Sequence, residues 1–593
     1  MTTALLNFGR RFLSLSWLTG PIFEKELRVS SRRRRNYVLR FGYLGLLTIS
    51  LVLTWLAYVP RGGTGVYGIS RMAEAGKAIT VCLVWFQFIA AQLVGLTMLS
   101  TSISDEVYNR TLGLLMTTPI SSFQIVTGKL FSKLLQLLLL LAISLPLLAI
   151  VRVFGGVPWG YVISSLCITV TAVVFVGLLS LFFSIFSRRA YVVIILTTLT
   201  LGVTFLLLPF LAAYMLHRVM SEGTLFSIFT FPNPYFTLFF NTMLMMEPRA
   251  MMGGFAFYWP VHCGVMLGAS GLLLFLSVLL VRRVGLRQAT GQSGVSPRKR
   301  RGDREAGVAS LEQPRFAVAP RRVRGPAVLW KELRFPVFGR RKIGTLIAIA
   351  VGLIVLFITY ALCANENILD DEQIQVMYAV IFAGLGMLFT IIIPATCITS
   401  EKESQCWPLL LATTLTGWQV IFGKFGGVLR RCLPIWCVLF GHIVLFTLTG
   451  VIHPVAIIQC AILVAWILAF LCGAGLYFSA RFRHTTTAVI ANFALAASVW
   501  GLAPLLMVVI AGITGTRAGY DWAVAYIDTN PFVHAGILVG GAMRSFDSYW
   551  WPGLGSLNAA KSTIWMLICM LSYMFLGLLF AWRAKCRMRR NIF

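Results

Sequence analysis

Long apolar runs, separated by short polar or basic stretches, set the rhythm of this chain. A helix needs roughly 20 apolar residues to cross a hydrocarbon core of about 30 Å. Runs of that kind place spans near 41–59, 78–100, 131–151, 160–186, 190–214 and 257–281. A second set falls near 343–363, 375–398, 432–450, 455–480, 486–513 and 562–582. The expected fold class is an all-α polytopic membrane protein of about 12 transmembrane helices.

Composition agrees, with 58% hydrophobic and only 12% charged residues, whereas soluble domains carry about a quarter charged. A net charge of +31 would suggest nucleic acid if it were clustered on a soluble face. With the amino terminus inside, however, most of the 51 Lys and Arg fall in loops on one side, the bias of cytoplasmic loops. The expectation is a multi-pass protein of the inner (plasma) membrane with both termini cytoplasmic and no nucleic-acid partner. The arginines at 32–35 stand where a small-residue cleavage site would be needed, so the first span reads as an uncleaved anchor. Twelve cysteines are scattered without a CxxC pair or Cys/His cluster, which supports neither a disulfide framework nor a metal site.

The polar stretch between the second and third runs has an echo. Residues 101–129 read TSISDEVYNRTLGLLMTTPISSFQIVTGK, and residues 396–424 read TCITSEKESQCWPLLLATTLTGWQVIFGK. They align without a gap. Identities fall at Thr101/Thr396, Ile103/Ile398, Glu106/Glu401, Leu114/Leu409, Leu115/Leu410, Thr118/Thr413, Gln124/Gln419, Gly128/Gly423 and Lys129/Lys424. Lys25-Glu26-Leu27-Arg28 returns as Lys331-Glu332-Leu333-Arg334, and Asn233-Pro234-Tyr235 as Asn530-Pro531-Phe532. This ordered set reads as a tandem duplication: a first six-span half over 1–281, a basic linker over 282–325 and a second half over 326–593. An even number of spans gives both halves the same orientation, related by an axis along the membrane normal. Both copies of the segment then lie on the cytoplasmic face. The linker, rich in Arg, Gly, Pro and Ser, reads as flexible, and its charge as a topology anchor that meets anionic lipid.

Catalytic chemistry is not evident. The chain has no GxxxxGK[ST] loop, GxSxG or HExxH, so it is not expected to bind ATP or to be an enzyme by itself. A charge at a helix centre costs about 2.5–3.5 kcal/mol on insertion scales, and none sits well inside a span. The polar residues there (Gln87, Gln92, Gln136, His442, Gln459, Asn492) read as helix–helix hydrogen bonds. A bundle without internal coupling residues must be driven from outside, and the repeated segment is where a partner would push.

Within that segment Asp105 and Glu106 suit the positive end of a helix dipole, and Ser121 or Ser122 is a candidate N-cap after Pro119. The pattern predicts a short helix continuing from the second span, a break near Pro119, and a second short helix leading into the third span. An amphipathic helix that seals the bundle end would need only the apolar pattern. Retention of Glu106/Glu401 and Gln124/Gln419 exceeds that, and favours a docking surface.

Taken together, KELR before the first span, the acid-TL-LL-TTP order between spans two and three, V-x-G-K into span three, and Asn-Pro-Tyr before span six resemble the ABC-2 type permeases. These are the membrane subunits of ATP-binding cassette exporters. The resemblance covers both halves, more strongly in 20–40 and 101–158 than in 325–480. It implies an elbow helix at the start of each half (about 20–38 and 326–341), with Lys25, Glu26, Arg28, Lys331, Glu332 and Arg334. It also implies a coupling helix that enters a cleft of a separate P-loop ATPase, probed by Asp105, Glu106, Arg110, Thr118, Pro119, Gln124 and Lys129. The second copy would use Glu401, Thr413, Gln419 and Lys424. Partly re-entrant outer segments (217–256 and 515–560) would carry an outer gate at Asn233, Pro234, Asn530 and Pro531. ATP and Mg would be bound by the partner, in two copies, and the fused halves would let one chain form the whole path. Copy two departs from the pattern with Ser400, Gln405, Thr414 and Trp407-Pro408 where copy one has Asp105, Arg110, Pro119 and Leu112-Gly113, so unequal docking is expected. The function expected is export driven by separate ATP-binding subunits. The rivals are a secondary transporter with parallel repeats, and a non-transporting scaffold built on the permease fold.

Overall fold

The computed structural model describes residues 16–31, 34–58, 66–109, 111–152, 156–187, 190–209, 224, 231–247, 258–289, 325–334, 342–514, 517–543 and 548–588. In the first half these form α1 (Ser16–Ser31), α2 (Arg34–Tyr58), α3 (Val66–Ser100), the short α4 (Ser104–Asn109) and α5 (Leu112–Met116), and α6 (Ser122–Arg152). There follow α7 (Trp159–Phe186), α8 (Ala190–Gly202) with a π-helical turn at Val203–Leu207, α9 (Pro234–Met246) and α10 (Trp259–Ala289).

The second half runs through α11 (Ala327–Arg334), α12 (Lys342–Asn365), α13 (Glu372–Cys397), the short α14 (Thr399–Glu403) and α15 (Trp407–Leu411), and α16 (Gly417–Leu448). After α17 (Val455–Arg481), α18 (Thr485–Ala497) enters a π-helical turn at Ser498–Leu502 and continues as α19 (Ala503–Thr514). Next come α20 (Arg517–Ile527), α21 (Pro531–Met543), an antiparallel pair β1 (Tyr549–Trp551) and β2 (Gly555–Leu557), and α22 (Ala559–Met588).

The protein is thus an all-α polytopic membrane protein. Nine helices among the described residues are long and apolar enough to cross a membrane, and three shorter apolar helices accompany them. The twelve crossings expected are not all reached among the described residues. The fifth run, for example, breaks into a π-turn, and residues 210–214 of it lie outside them.

Element ends differ from expectation for identifiable reasons. The third span and its counterpart start at Ser122 and Gly417, not near 131 and 432, because polar caps let each helix project beyond its apolar run. The expected second short helix is therefore the first turns of a long one. The elbow expected over 20–38 ends at Ser31, and a new helix starts at Arg34. In the second half it spans Ala327–Arg334, with 335–341 outside the described residues. Helix α10 continues to Ala289, so the start of the expected linker is helical, and residues 290–324 lie outside the described residues.

In the second half two helices pack backbone to backbone. A Cβ at Gly473 of α17 would run into the carbonyl oxygen of Gly577 of α22, so the two backbones touch, as small residues permit in membranes. The halves meet along an apolar seam that includes Leu96, Phe175 and Phe205 from the first and Ile392, Ala395 and Val489 from the second.

Candidate functional site: two charge-clamped joints

Each half ends, on the face that carries the repeated segment, in a joint of three elements: the elbow helix, a short helix and the start of the third span. In the second half Lys424, 1% exposed, extends from α16 between two glutamates. Its Nζ lies 2.6 Å from Glu332 Oε1 of the elbow and 2.6 Å from Glu401 Oε1 of α14. Arg431 Nη2 takes the other Glu332 oxygen at 2.7 Å, and Lys331 reaches Glu401 at 3.0 Å. Three elements are locked by one buried network in which each acid meets two cations.

The first half repeats the plan more loosely. Lys129 Nζ donates to Glu106 Oε1 at 3.0 Å and to the carbonyl of Ser102 at 2.8 Å. The elbow acid Glu26 stands 3.9 Å away, and Lys133 approaches it at 3.6 Å. Glu106 also accepts from the Thr111 hydroxyl.

Glycines account for the closeness in copy two. A Cβ at Gly423 would meet Val328 at 2.7 Å, one at Gly426 would meet Leu329 at 2.5 Å, and one at Gly427 would meet Glu332 at 2.6 Å. The elbow therefore beds directly against the backbone of α16. In register, Phe131 and Ser132 stand where copy two has Gly426 and Gly427, so α6 lacks those two notches. A half-open pocket of about 220 Å³ lies beside Lys129, lined by Ile22, Lys25, Glu26, Glu106, Leu115 and Lys129 among others.

The short helices face outward. Leu114 of α5 is 71% exposed and Leu409 of α15 is 73% exposed, so equivalent positions present an apolar tip on each joint. Thr118 and Thr413 cap those turns, each hydroxyl donating 2.6 Å to the carbonyl of Leu115 or Leu410. Pro119 is exposed in the turn that follows, and Asp105 is exposed on α4. Arg110 lies outside the described residues. Arg28 is exposed on its elbow, and Arg334 stacks 4.0 Å over the Trp330 ring.

Gln124 and Gln419 have a structural reason to recur. Gln124 Oε1 accepts from Ser121 N while Gln124 N donates to Ser121 Oγ, both at 3.2 Å. Thr416 and Gln419 make the same reciprocal pair. This is a capping box, which satisfies two of the free N–H groups at a helix start. Ser121, not Ser122, is the cap.

Several residues of this site were missed in the sequence, among them Lys133 and Arg431 of the charge networks and two that cap neighbouring helices. Lys402 Nζ donates to the carbonyls of Ser479, Ala480 and Phe482 at 3.1, 2.5 and 3.0 Å, capping the end of α17. Glu403 accepts from Thr485 N and Oγ1, both at 2.7 Å, capping the start of α18. Their positions hold Val107 and Tyr108 in copy one. The signal was a charged pair present in one copy only, which a search for identities passes over.

At the opposite end of the bundle the recurring Asn-Pro pairs cap helices. Asn233 Oδ1 accepts from Tyr235 N and Phe236 N at 3.0 and 3.3 Å, and its Nδ2 donates to Phe205 O at 2.5 Å. Asn530 accepts from Phe532 N at 2.9 Å and donates to Trp500 O at 3.1 Å. Both acceptor carbonyls lie in the π-helical turns, where the wider ring disturbs the helical ladder. Pro234 and Pro531 occupy first-turn positions that need no N–H. Nearby, buried Asp528 accepts from Gly553 N at 2.9 Å. Burial pushes its carboxyl up to about 6, although hydrogen bonds from the Gly553 and Leu554 backbone favour the charged form.

No protein-family model and no curated protein matches the chain.

Proposed function

We propose that this chain is the membrane subunit of an ATP-driven exporter of the ABC-2 permease kind, with α5 and α15 as seats for separate P-loop ATPase subunits. The observation that carries this reading is the pair of exposed leucines, Leu114 and Leu409, each on a short helix backed by a lysine between two acids. An exposed apolar tip invites a concave partner surface. The ion pairs behind it give the push somewhere to go.

A displacement of α15 would move α14, and through Glu401 and Lys424 both the elbow and α16. In the first half the same path runs through Glu106 and Lys129, with a weaker hold on Glu26. Partner closure on binding ATP would thus turn the elbows and third spans together, working on the apolar seam between the halves. Asn233 and Asn530, tied to the π-turns, would let the outer segments follow their fifth spans as the gate of the path.

The test is co-expression with a P-loop ATPase encoded beside it, followed by purification and assay. Leu114→Asp and Leu409→Asp should each reduce co-purification, and the double variant should abolish it. The detergent-solubilised chain alone should hydrolyse no ATP. Charge reversal at Glu401 should lower coupled hydrolysis more than reversal at Glu106, since Glu401 holds two lysines. Hydrolysis by the chain alone, or a partner indifferent to both leucines, would remove the basis for this assignment.

A further inference from the structure

Helix α14 is only five residues long, yet two of its side chains bind the ends of two other helices. Lys402 Nζ donates to three carbonyls at the end of α17, those of Ser479, Ala480 and Phe482. Glu403 accepts from Thr485 N and Oγ1 at the start of α18, both at 2.7 Å. A third tie runs the other way, since Ser479 Oγ accepts from Ile398 N and Thr399 N at 2.8 and 2.9 Å. The signs suit the helix ends, with a cation at the carbonyl end of α17 and an anion at the N–H end of α18. We propose that α14 is a strap that joins the second repeated segment to the turn between α17 and α18. Motion of α15 then reaches α18 directly in this half, by a link that the first half lacks.

Residue identity accounts for the asymmetry. In register, Val107, Tyr108 and Ala190 stand where copy two has Lys402, Glu403 and Thr485. Valine and alanine carry no polar side-chain atom and tyrosine no carboxylate, so neither charged tie can be built from those positions. Ser184 matches Ser479, but its hydroxyl donates to Leu181 O of its own helix at 2.7 Å. The first half closes the same contact with apolar groups, Val107 and Ile185 lying in one buried cluster. Apolar burial is non-directional, so it holds elements together without fixing how one follows the other.

The destination of α18 gives the strap its consequence. Ala488 and Val489, one turn beyond Thr485, belong to the apolar seam between the halves. Further along, Asn492 Nδ2 donates to Ile391 O of α13 at 2.8 Å, and the π-turn at Ser498–Leu502 follows. A push on α15 is therefore passed through α14 to a helix that lines the seam. In the first half Ile194 enters the seam from α8, with Tyr108 and Ala190 where the strap would be. With α5 and α15 as ATPase seats, the reading on which this consequence rests, the second seat moves elbow, third span and fifth span together. The first seat moves its elbow and third span. The strap itself stands without a partner.

The experiment is hydrogen–deuterium exchange of the purified full chain, read by mass spectrometry with no partner present. A peptide at the start of α18 reports the strap, and one at the start of α8 is its control. Glu403→Ala removes both bonds to Thr485 from an exposed position. It should raise exchange at the start of α18 about tenfold, the scale of losing hydrogen bonds to a charged group. Leu409→Gly and Leu114→Gly loosen the two short helices from similarly exposed positions, glycine being the poorer helix former. Leu409→Gly should raise exchange at the start of α18 about threefold through local opening, and that rise should vanish once Glu403→Ala is present. A cap with no link to α15 would give no such rise. Leu114→Gly should leave the start of α8 unchanged. An α18 start indifferent to Glu403→Ala or to Leu409→Gly would overturn the strap. So would a rise from Leu409→Gly that persists beside Glu403→Ala, because the motion would then travel by another route. An equal rise at α8 from Leu114→Gly would overturn the asymmetry between the halves. These readouts need no ATPase, so failure of a partner to co-purify would sink the seats and leave the strap standing.

Discussion

The two joints hold the same three side chains and spend them differently. In the second, Lys424 lies 2.6 Å from both acids, and glycines let the elbow helix touch the backbone of α16. In the first, Lys129 keeps one acid at 3.0 Å and the other at 3.9 Å, beside a half-open pocket. The difference teaches that the ion pairs do not set how closely the helices approach. Backbone access does, through residues that carry no charge. Where glycines open the way, the charges are desolvated together and become hard to separate. Where Phe131 and Ser132 stand instead, a pair stays partly wet and can be rearranged.

The largest expected effect comes from removing the central cation. Lys424→Met leaves Glu332 and Glu401 without their shared buried partner, and breaking a buried pair costs about 3–5 kcal/mol. Lys129→Met removes hydrogen bonds to a charged group that is partly exposed, for which about 1.5–3 kcal/mol is typical. Unfolding of the two variants in detergent, compared at equal denaturant, checks this. Equal losses would break the comparison by making the open joint as tightly held as the closed one.

A smaller effect sharpens the role of the glycines. Gly426→Phe sets a side chain against Leu329, and overpacking of this kind costs about 1–3 kcal/mol. Cross-linking yield between cysteines placed on α11 and α16 should fall as the elbow is lifted. Unchanged yield would mean that the notch is not what seats the helix. The smallest effect is expected at the caps. Gln124→Ala and Gln419→Ala each remove half of a capping box and should cost about 0.5–1 kcal/mol, at the lower end of measured cap losses. Here the two halves should respond alike, because their cap geometry is the same. A large difference would reveal that one glutamine has a further task.

Much of this architecture was legible before any coordinates. Apolar run length alone places most helices, since a backbone in hydrocarbon must satisfy its own hydrogen bonds. The recurring Glu106/Glu401 and Lys129/Lys424 stand out because charge is rare in such a chain. What escaped was direction. Gln124 and Gln419 read as docking residues because they recur, yet their side chains turn back onto their own helix start. Asn233 and Asn530 stand as an outer gate only by the resemblance, and the structure adds that each caps a helix and donates to a π-turn carbonyl. Lys402 and Glu403 were passed over because they have no twin. Gly426 and Gly427 lie just beyond the segment that aligns most clearly, and glycine carries no chemistry to attract notice.

Sequence by itself determined that the chain is a helical membrane protein and that charged groups recur at equivalent places in its two halves. Local pattern suffices for that, because crossing hydrocarbon is a matter of length and polarity. Only the tertiary structure decided which of those charges meet, at what distance, and that one joint is closed while its counterpart holds a half-open pocket. Pairing strength depends on how near two backbones can come and how much water leaves with them. Those quantities belong to the packed helices, not to any one of them.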